Sequence, residues 1–452
     1  MLAVSGVVVV GALLGSLWLE RRSELTLPTP TGSFAVGRAI YDWKDDAGVD
    51  RLAPVPGTKR ELLVWIWYPS APGPSAAIDD YVPAWMRTAR TGRAPRAGRA
   101  AGAARAAAGP PGGLLGFLTR DLSKVRGHSA RDADVSPRPR TFPVVVMRAG
   151  ASAFVVSYST LAEDLASHGY VVVGFDAPYR TFAVAFPDGR VMSRPPENNP
   201  ELCEDQPPAR QAPCVSRFLT AWTADVAFVL NRLERLNASR SGGKLAGRLD
   251  MTRVGVFGHS FGGATALQFC HDDPRCKAGI DIDGQPFGNV IQDGLRQPFM
   301  FLLSDHGDLP EGRPGGGSGP SASPWARHPS PPSPPSQASP KGRQRDLSHD
   351  SVDLQIWANI QSIYDRLPPD GRLCIAIRGA NHFLFSDDGA LLKSHIVLRA
   401  LRIAGVVGID GRRQLAVTAH CVQSFFDTYL KAAGVGPLEL RSPLYPEIRT
   451  LR

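Results

Sequence analysis

Short apolar runs and segments of helical periodicity alternate along most of the chain, with turn residues between them. Glu61 to Tyr68 (ELLVWIWY) alternates and is rich in β-branched and aromatic side chains, which predicts a strand. Phe142 to Met147, Tyr170 to Phe175, Val254 to Phe257, Ala278 to Ile282, Pro298 to Leu303 and Leu373 to Ile377 read as further strands. Tyr158 to His168 has the pattern of an amphipathic helix closed by Gly169. Val215 to Leu236 predicts a longer helix, with Phe218, Trp222, Val226, Val229 and Leu233 on one face. Val352 to Leu367 and Leu415 to Ala433 predict two more, the second closing the domain. Strand, helix and strand joined by short connections make a parallel βαβ unit. Repetition of that unit on both sides of Ser260 predicts an α/β protein with a doubly wound, mostly parallel sheet. Two stretches depart from the pattern: Leu25 to Gly32, whose prolines make it an extended opening segment, and Arg180 to Ala212, an irregular excursion.

Low-complexity sequence interrupts the domain twice. Thr91 to Gly113 is built of Ala, Arg, Gly and Pro, and Gly307 to Asp346 of Pro, Ser and Gly, compositions that bury too little apolar surface to fold. They are read as insertions at about 88–113 and 307–346 in a catalytic domain spanning 27–436, ahead of a tail at 437–452. Leu114 to Leu118 is an apolar cluster read as core, with a lipid-touching surface as the alternative. The net charge of +9 would suit a polyanionic partner, but much of the excess lies in Arg87 to Arg140 and Lys341 to Arg345, in or beside the insertions. A basic linker accounts for it, and nucleic acid is not a predicted partner.

Leu2 to Leu19 is uncharged and mostly apolar, which marks 1–22 as a signal peptide or membrane anchor. It lacks a basic leading region, and Arg21 and Arg22 on its far flank favour retention in the cytoplasm. The cysteines point outward instead. Of six, Cys203 and Cys214 bracket a Pro-rich loop and Cys270 and Cys276 a short one, an arrangement suited to disulfides; six buried thiols are the alternative. Export or membrane anchoring is the resulting expectation. No C-x-x-C pair exists, so no zinc or redox site is predicted.

The candidate chemistry centres on Gly258-His259-Ser260-Phe261-Gly262-Gly263, which ends the Val254 strand and opens a small-residue helix. A strand that reverses directly into a helix projects the middle residue of the turn clear of the sheet, and only residues lacking bulk fit two positions either side of it, as Gly258 and Gly262 do. Ser260 is therefore a candidate nucleophile, and a serine needs an adjacent base held by a third group. His382, just after the last strand, is the histidine so placed; His168 ends a helix, His259 lies inside the turn, and His306 precedes the second insertion. The acid stays open between Asp283, Asp281 and Asp305: the first two share a strand face by alternation, and Asp305 follows the next strand. Backbone N–H groups of Phe261 and Ala151, the latter in the loop after Met147, are the candidate oxyanion donors. No metal and no cofactor is predicted.

GHSFGG at Gly258–Gly263, DLASHGY at Asp164–Tyr170, GIDIDG at Gly279–Gly284 and IRGANH at Ile377–His382 together resemble the plasma (type II) platelet-activating factor acetylhydrolase family, including its bacterial-type relatives. LPTPTGSFAVGRAIYDW and the strand into Ile66-Trp67-Tyr68-Pro69 resemble the same group, so the likeness spans nearly the whole chain outside the apolar run and the insertions. The resemblance implies the α/β-hydrolase fold, and it implies that the acid follows the first strand after the turn, hence Asp283. It also implies calcium-independent hydrolysis of the sn-2 short or oxidised acyl ester of phospholipids, with a lipid or other small ester as partner and a membrane surface as a candidate contact. Two features depart from the family: Ala149-Gly150 stands where the family has His-Gly, and the Ala/Arg tract with the Leu114 cluster replaces the lipid-facing helices of the animal enzymes. A general carboxylesterase or polyester hydrolase is the alternative on the same machinery. A catalytically silent binding protein is the alternative of another class; it would need that machinery broken, and every residue type it requires is present.

Overall fold

The apolar runs pair edge to edge into one sheet. In the computed structural model, residues 11, 15, 18–71, 77–90, 120–239, 243–305, 354–391, 408–431, 440 and 442–451 are described. In chain order the strands are β1 (Leu25–Thr26), β2 (Ala35–Val49), β3 (Lys59–Ser70), β4 (Ile78–Asp80), β5 (Val125–Arg131), β6 (Phe142–Arg148) and β7 (Val171–Asp176). They continue with β8 (Ala183–Ala185), β9 (Val191–Ser193), β10 (Leu249–His259), β11 (Cys276–Ile282), β12 (Phe299–Leu303), β13 (Arg372–Ile377) and β14 (Ile448–Thr450). The main sheet runs β1-β5-β2-β3-β7-β6-β10-β11-β12-β13-β14, with β4 on β5, while β8 and β9 form a separate hairpin. From β7 to β13 every pairing is parallel. The β2–β3, β3–β7 and β13–β14 pairings are antiparallel.

Helices cover both faces, as the α/β-hydrolase expectation requires. α1 (Ser159–Ser167) and α4 (Gly411–Lys431) pack on one face, where Leu161, Leu165, Val422, Phe425 and Phe426 meet Trp65, Trp67, Val145 and Val172. α2 (Pro208–Ala238) and α3 (Phe261–Asp272) pack on the other, where Val226, Val229, Leu233 and Leu267 meet Val64, Ile66, Val144 and Val173. Successive strand residues point to opposite faces, so each central strand feeds both layers. Each fully buried side chain of this size contributes about 1.5–3 kcal/mol.

The chain leaves β6 through α1 to β7 on one side, and returns through α2 to β10 on the other. The carboxyl ends of β6 and β10 therefore flank a topological switch point, where an open parallel sheet leaves a crevice for ligands. The Gly150 loop and Ser260 both emerge there.

Several elements differ from the sequence reading. α2 starts at Pro208, ahead of the expected Val215, because a proline at the first helical position gives up an N–H that has no acceptor anyway; Pro213 follows inside the helix. β2 and β5 were not legible. β5 (VRGHSAR) has little apolar sequence, and the N–H groups of His128 and Ser129 turn to the buried Glu163 carboxylate of α1. The excursion at Arg180 to Ala212 contains the β8–β9 hairpin and several short turns. Cys203–Cys214 and Cys270–Cys276 are disulfide-bonded, and Cys374 and Cys421 are buried thiols. Most of the Leu2–Leu19 run, the Thr91–Gly113 tract, the Leu114–Leu118 cluster and the Gly307–Asp346 tract lie outside the described residues.

Candidate active site

At the end of β10 the backbone reverses into α3 through Ser260, whose φ of 56° and ψ of −127° lie outside the regions a serine ordinarily occupies. Such a conformation costs on the order of 1–3 kcal/mol and persists only where its surroundings enforce it. They do so here by close approach. A Cβ on Gly258 would sit 2.1 Å from the Gly262 carbonyl oxygen, and one on Gly262 would sit 2.4 Å from that of Ala149. The Ser260 N–H donates to the Ile282 carbonyl (2.8 Å), while the Gly263 and Ala264 N–H groups donate to the Ser260 carbonyl (2.8 and 3.1 Å). The turn is thus tied to the end of β11, one residue before Asp283.

Asp283 is fully buried and also left-handed, with φ of 53°. Its Oδ1 accepts the Ser304 N–H (2.8 Å), and its Oδ2 accepts the Ser304 hydroxyl and His382 Nδ1, each at 2.7 Å. Donation from Nδ1 assigns the neutral imidazole the tautomer with its lone pair on Nε2, the form that can take a proton. The loop that carries His382 is held from two sides. Gln414 of α4 accepts the Asn381 N–H (3.0 Å) and donates to the Asn381 carbonyl (2.8 Å), and Asp305 accepts the Gly379 N–H (2.6 Å).

His259, the residue before the serine, has its ring centre 4.6 Å from that of His382. Burial, and then the neighbouring His382, push His259 down to about 3, so it stays neutral at physiological pH. Its Nδ1 lies 2.7 Å from the Tyr158 hydroxyl, which also accepts the Gly150 N–H at 3.4 Å. Tyr158 thereby joins the loop after β6 to the residue preceding the serine.

Among the described residues, the Ser260 hydroxyl makes no hydrogen bond, to His382 or to any other group. Serine–imidazole contacts are commonly long in ligand-free sites and tighten when substrate binds. Phe261 is the first residue of α3, where no intrahelical acceptor exists for its N–H. The Gly150 loop lies directly against the turn, since a Cβ on Gly150 would sit 3.2 Å from that of Ser260. The Ala151 N–H likewise has no acceptor among the described residues. The Phe261 ring packs edge-on against Trp222 at 4.9 Å and lies tilted against Phe287 at 6.2 Å, which anchors the first residue of α3 in a small apolar cluster.

The structure therefore brings Ser260, Asp283, His382, Phe261 and Ala151 to one edge of the sheet. It sets the other two candidate acids apart in role: Asp305 anchors the His382 loop, and Asp281 lies under the turn with its Oδ1 on the Gly284 N–H (2.8 Å). Sequence reasoning missed Ser304, Tyr158 and Gln414. Ser304, directly after an apolar strand that ends beside the acid, had a positional signal; Tyr158 and Gln414 had none, because each acts across elements distant in sequence. No group of His, Cys, Asp and Glu side chains among the described residues is arranged to hold a metal ion.

Residues 24–181 and 227–311, more than half of the chain, match the family described as platelet-activating factor acetylhydrolase, isoform II. An Arthroderma benhamiae protein described as a probable 1-alkyl-2-acetylglycerophosphocholine esterase is 23% identical over 98% of each chain. The platelet-activating factor acetylhydrolase of Cavia porcellus is 28% identical over 36% of this chain and 40% of its own length, and that of Canis lupus familiaris 27% identical over 38% and 41%. Among solved structures, a ferulic acid esterase from Streptomyces cinnamoneus superposes with a TM-score of 0.66 at 24% identity, covering 95% of this chain and all of the other, which shows a shared fold.

Proposed function

The chain belongs to the platelet-activating factor acetylhydrolase isoform II family and is a carboxylic ester hydrolase; from that premise we propose that it releases the short or oxidised sn-2 acyl chain of phospholipids, without calcium, through Ser260, His382 and Asp283. The reading rests on the 2.7 Å hydrogen bond between His382 and the buried Asp283 beside a serine in a strained strand-to-helix turn.

In the proposed reaction the Ser260 hydroxyl oxygen attacks the ester carbonyl carbon as His382 Nε2 takes its proton. Asp283 keeps the imidazole in the required tautomer and stabilises the imidazolium that forms. The negative oxygen of the tetrahedral intermediate accepts hydrogen bonds from the Phe261 and Ala151 N–H groups, with the N-terminal end of α3 adding its dipole. Collapse breaks the bond to the leaving alcohol, which receives the proton from His382 and departs as a lysophospholipid. Water then repeats the sequence on the acyl-enzyme and frees the fatty acid.

Two disulfides support an exported protein, since such bonds persist in oxidising compartments. No helix among the described residues is long and apolar enough to cross a membrane.

The test is acyl release from a phospholipid panel with sn-2 chains from acetyl to palmitoyl, with and without chelator, for the wild type and Ser260→Ala. The proposal expects preference for short chains, indifference to chelator, and loss of turnover in Ser260→Ala. Turnover of short p-nitrophenyl esters with none on sn-2-acetyl phospholipid would make the protein a general carboxylesterase instead. Full turnover by Ser260→Ala would overturn the assignment of the nucleophile.

A further inference from the structure

Asp281 has no part in the chemistry above, yet its side chain fills the space between the two turns on which that chemistry depends. It is fully buried on β11, in register with Gly258 of β10 and Phe301 of β12. A Cβ on Gly263, in the first turn of α3, would sit 1.9 Å from Asp281 Oδ1; one on Gly284 would sit 2.2 Å from the same atom and 2.5 Å from the Ser260 carbonyl oxygen. The carboxyl group thus packs against both the elbow helix and the turn that bears Asp283. Its Oδ1 accepts the Gly284 N–H at 2.8 Å, while Oδ2 has no hydrogen-bond partner among the described residues.

That bond closes a turn around a residue that resists it. Asp283 is held at φ of 53°, and a non-glycine residue adopts this conformation only when its neighbours fix it. The left-handed step swings the Asp283 carboxylate away from the strand alternation and onto Ser304 and His382. Ser304 holds the side chain after that step; the Gly284 N–H is held by Asp281.

We propose that Asp281 is a positioning residue for the triad, whose carbonyl oxygen, by holding the Gly284 N–H, fixes Asp283 in the left-handed turn that meets His382 and keys that turn to the first turn of α3. The inference rests on the triad reading. It requires a neutral side chain with an oxygen acceptor in this place, because a second negative charge beside Asp283 would be both unsolvated and repelled. Burial, and then the Asp283 charge, raise the Asp281 carboxyl well above the ordinary range, which fits a protonated group.

The test compares Asp281→Ala and Asp281→Asn with Ser260→Ala in the full-length protein; active sites of the wild type and the Asp281 variants are counted by fluorophosphonate titration, and Ser260→Ala is scaled to protein concentration. Asp281→Ala is expected to lose about 10–100-fold in kcat with KM within about twofold, and to move the imidazole limb of the kcat/KM pH profile downward as Asp283 loosens its hold on His382. Asp281→Asn keeps the acceptor oxygen without charge, and is expected to recover kcat to within about threefold of wild type with an unmoved limb. If Asp281→Ala does not fold, Asp281→Ser, too short to reach Gly284, takes its place. A kcat per active site for Asp281→Ala or Asp281→Ser equal to wild type would overturn the proposal, as would Asp281→Asn being as impaired as Asp281→Ala. If Ser260→Ala itself retains turnover, the triad reading falls; if it is inactive while Asp281→Ala is normal, only the positioning role falls.

Discussion

Replacing Asp283 by Asn changes few atoms and should remove nearly all turnover. The amide oxygen can still accept the Ser304 N–H, so the fold around the site is retained. The group facing His382 then becomes an NH2, a donor, where the carboxylate accepted from Nδ1 at 2.7 Å. The imidazole answers by presenting its lone pair at Nδ1 and its hydrogen at Nε2, which leaves no base for the Ser260 proton. Loss of the correct tautomer together with the charge that stabilises the imidazolium costs about ten-thousand-fold in kcat, or about 5.4 kcal/mol of barrier. Asp305→Asn is the matched control. Its oxygen still takes the Gly379 N–H, and kcat should stay within about threefold of wild type. Hydrolysis of a p-nitrophenyl ester and of an sn-2-acetyl phospholipid, measured beside thermal melting, provides the comparison. A folded Asp283→Asn protein with more than about a tenth of wild-type kcat would refute the tautomer argument.

Three further outcomes follow from named contacts. Gly262→Ala places a Cβ 2.4 Å from the Ala149 carbonyl oxygen and 2.5 Å from that of Arg148, and should cost about 1–3 kcal/mol of stability by chemical denaturation, with loss of activity. Tyr158→Phe strands the buried His259 Nδ1 and frees the Gly150 N–H, so kcat should fall about tenfold with KM little changed in steady-state kinetics. Asp387, buried and capping α1 through the Ser159 and Thr160 N–H groups, is pushed by burial from 3.8 up to about 7. Because its pKa is higher folded than unfolded, the folded state binds more protons between those values, and this group's stability contribution is lost as pH rises through that window. Its share of the slope is at most about 1.4 kcal/mol per pH unit, and Asp387→Asn should remove it from urea midpoints measured at pH 5, 6 and 7.

The fold was legible where one residue decides its own environment. Short apolar runs rich in β-branched residues, such as Phe142 to Met147, suit strands covered on both faces, and Gly258 and Gly262 mark a close approach that no other residue permits. Legibility failed where polar sequence is satisfied from a distance. β5 reads as loop because the partner for its N–H groups, Glu163, belongs to a helix far along the chain. Asp281 and Asp283 could not be separated by alternation, since what divides them is the positive φ at Asp283, a backbone reversal imposed by neighbours. Tyr158 and Gln414 were invisible for a related reason: His259 and Asn381, which they hold, lie 101 and 33 positions away along the chain.

If the acyl group passes through Ser260, a reagent that traps the serine hydroxyl will mark it. Reaction with a fluorophosphonate followed by peptide mass mapping should give one adduct per chain on the peptide containing Ser260, with none in Ser260→Ala and far slower labelling in Asp283→Asn. A wild-type protein that turns over esters yet remains unlabelled, or that carries the adduct on another residue, would contradict it.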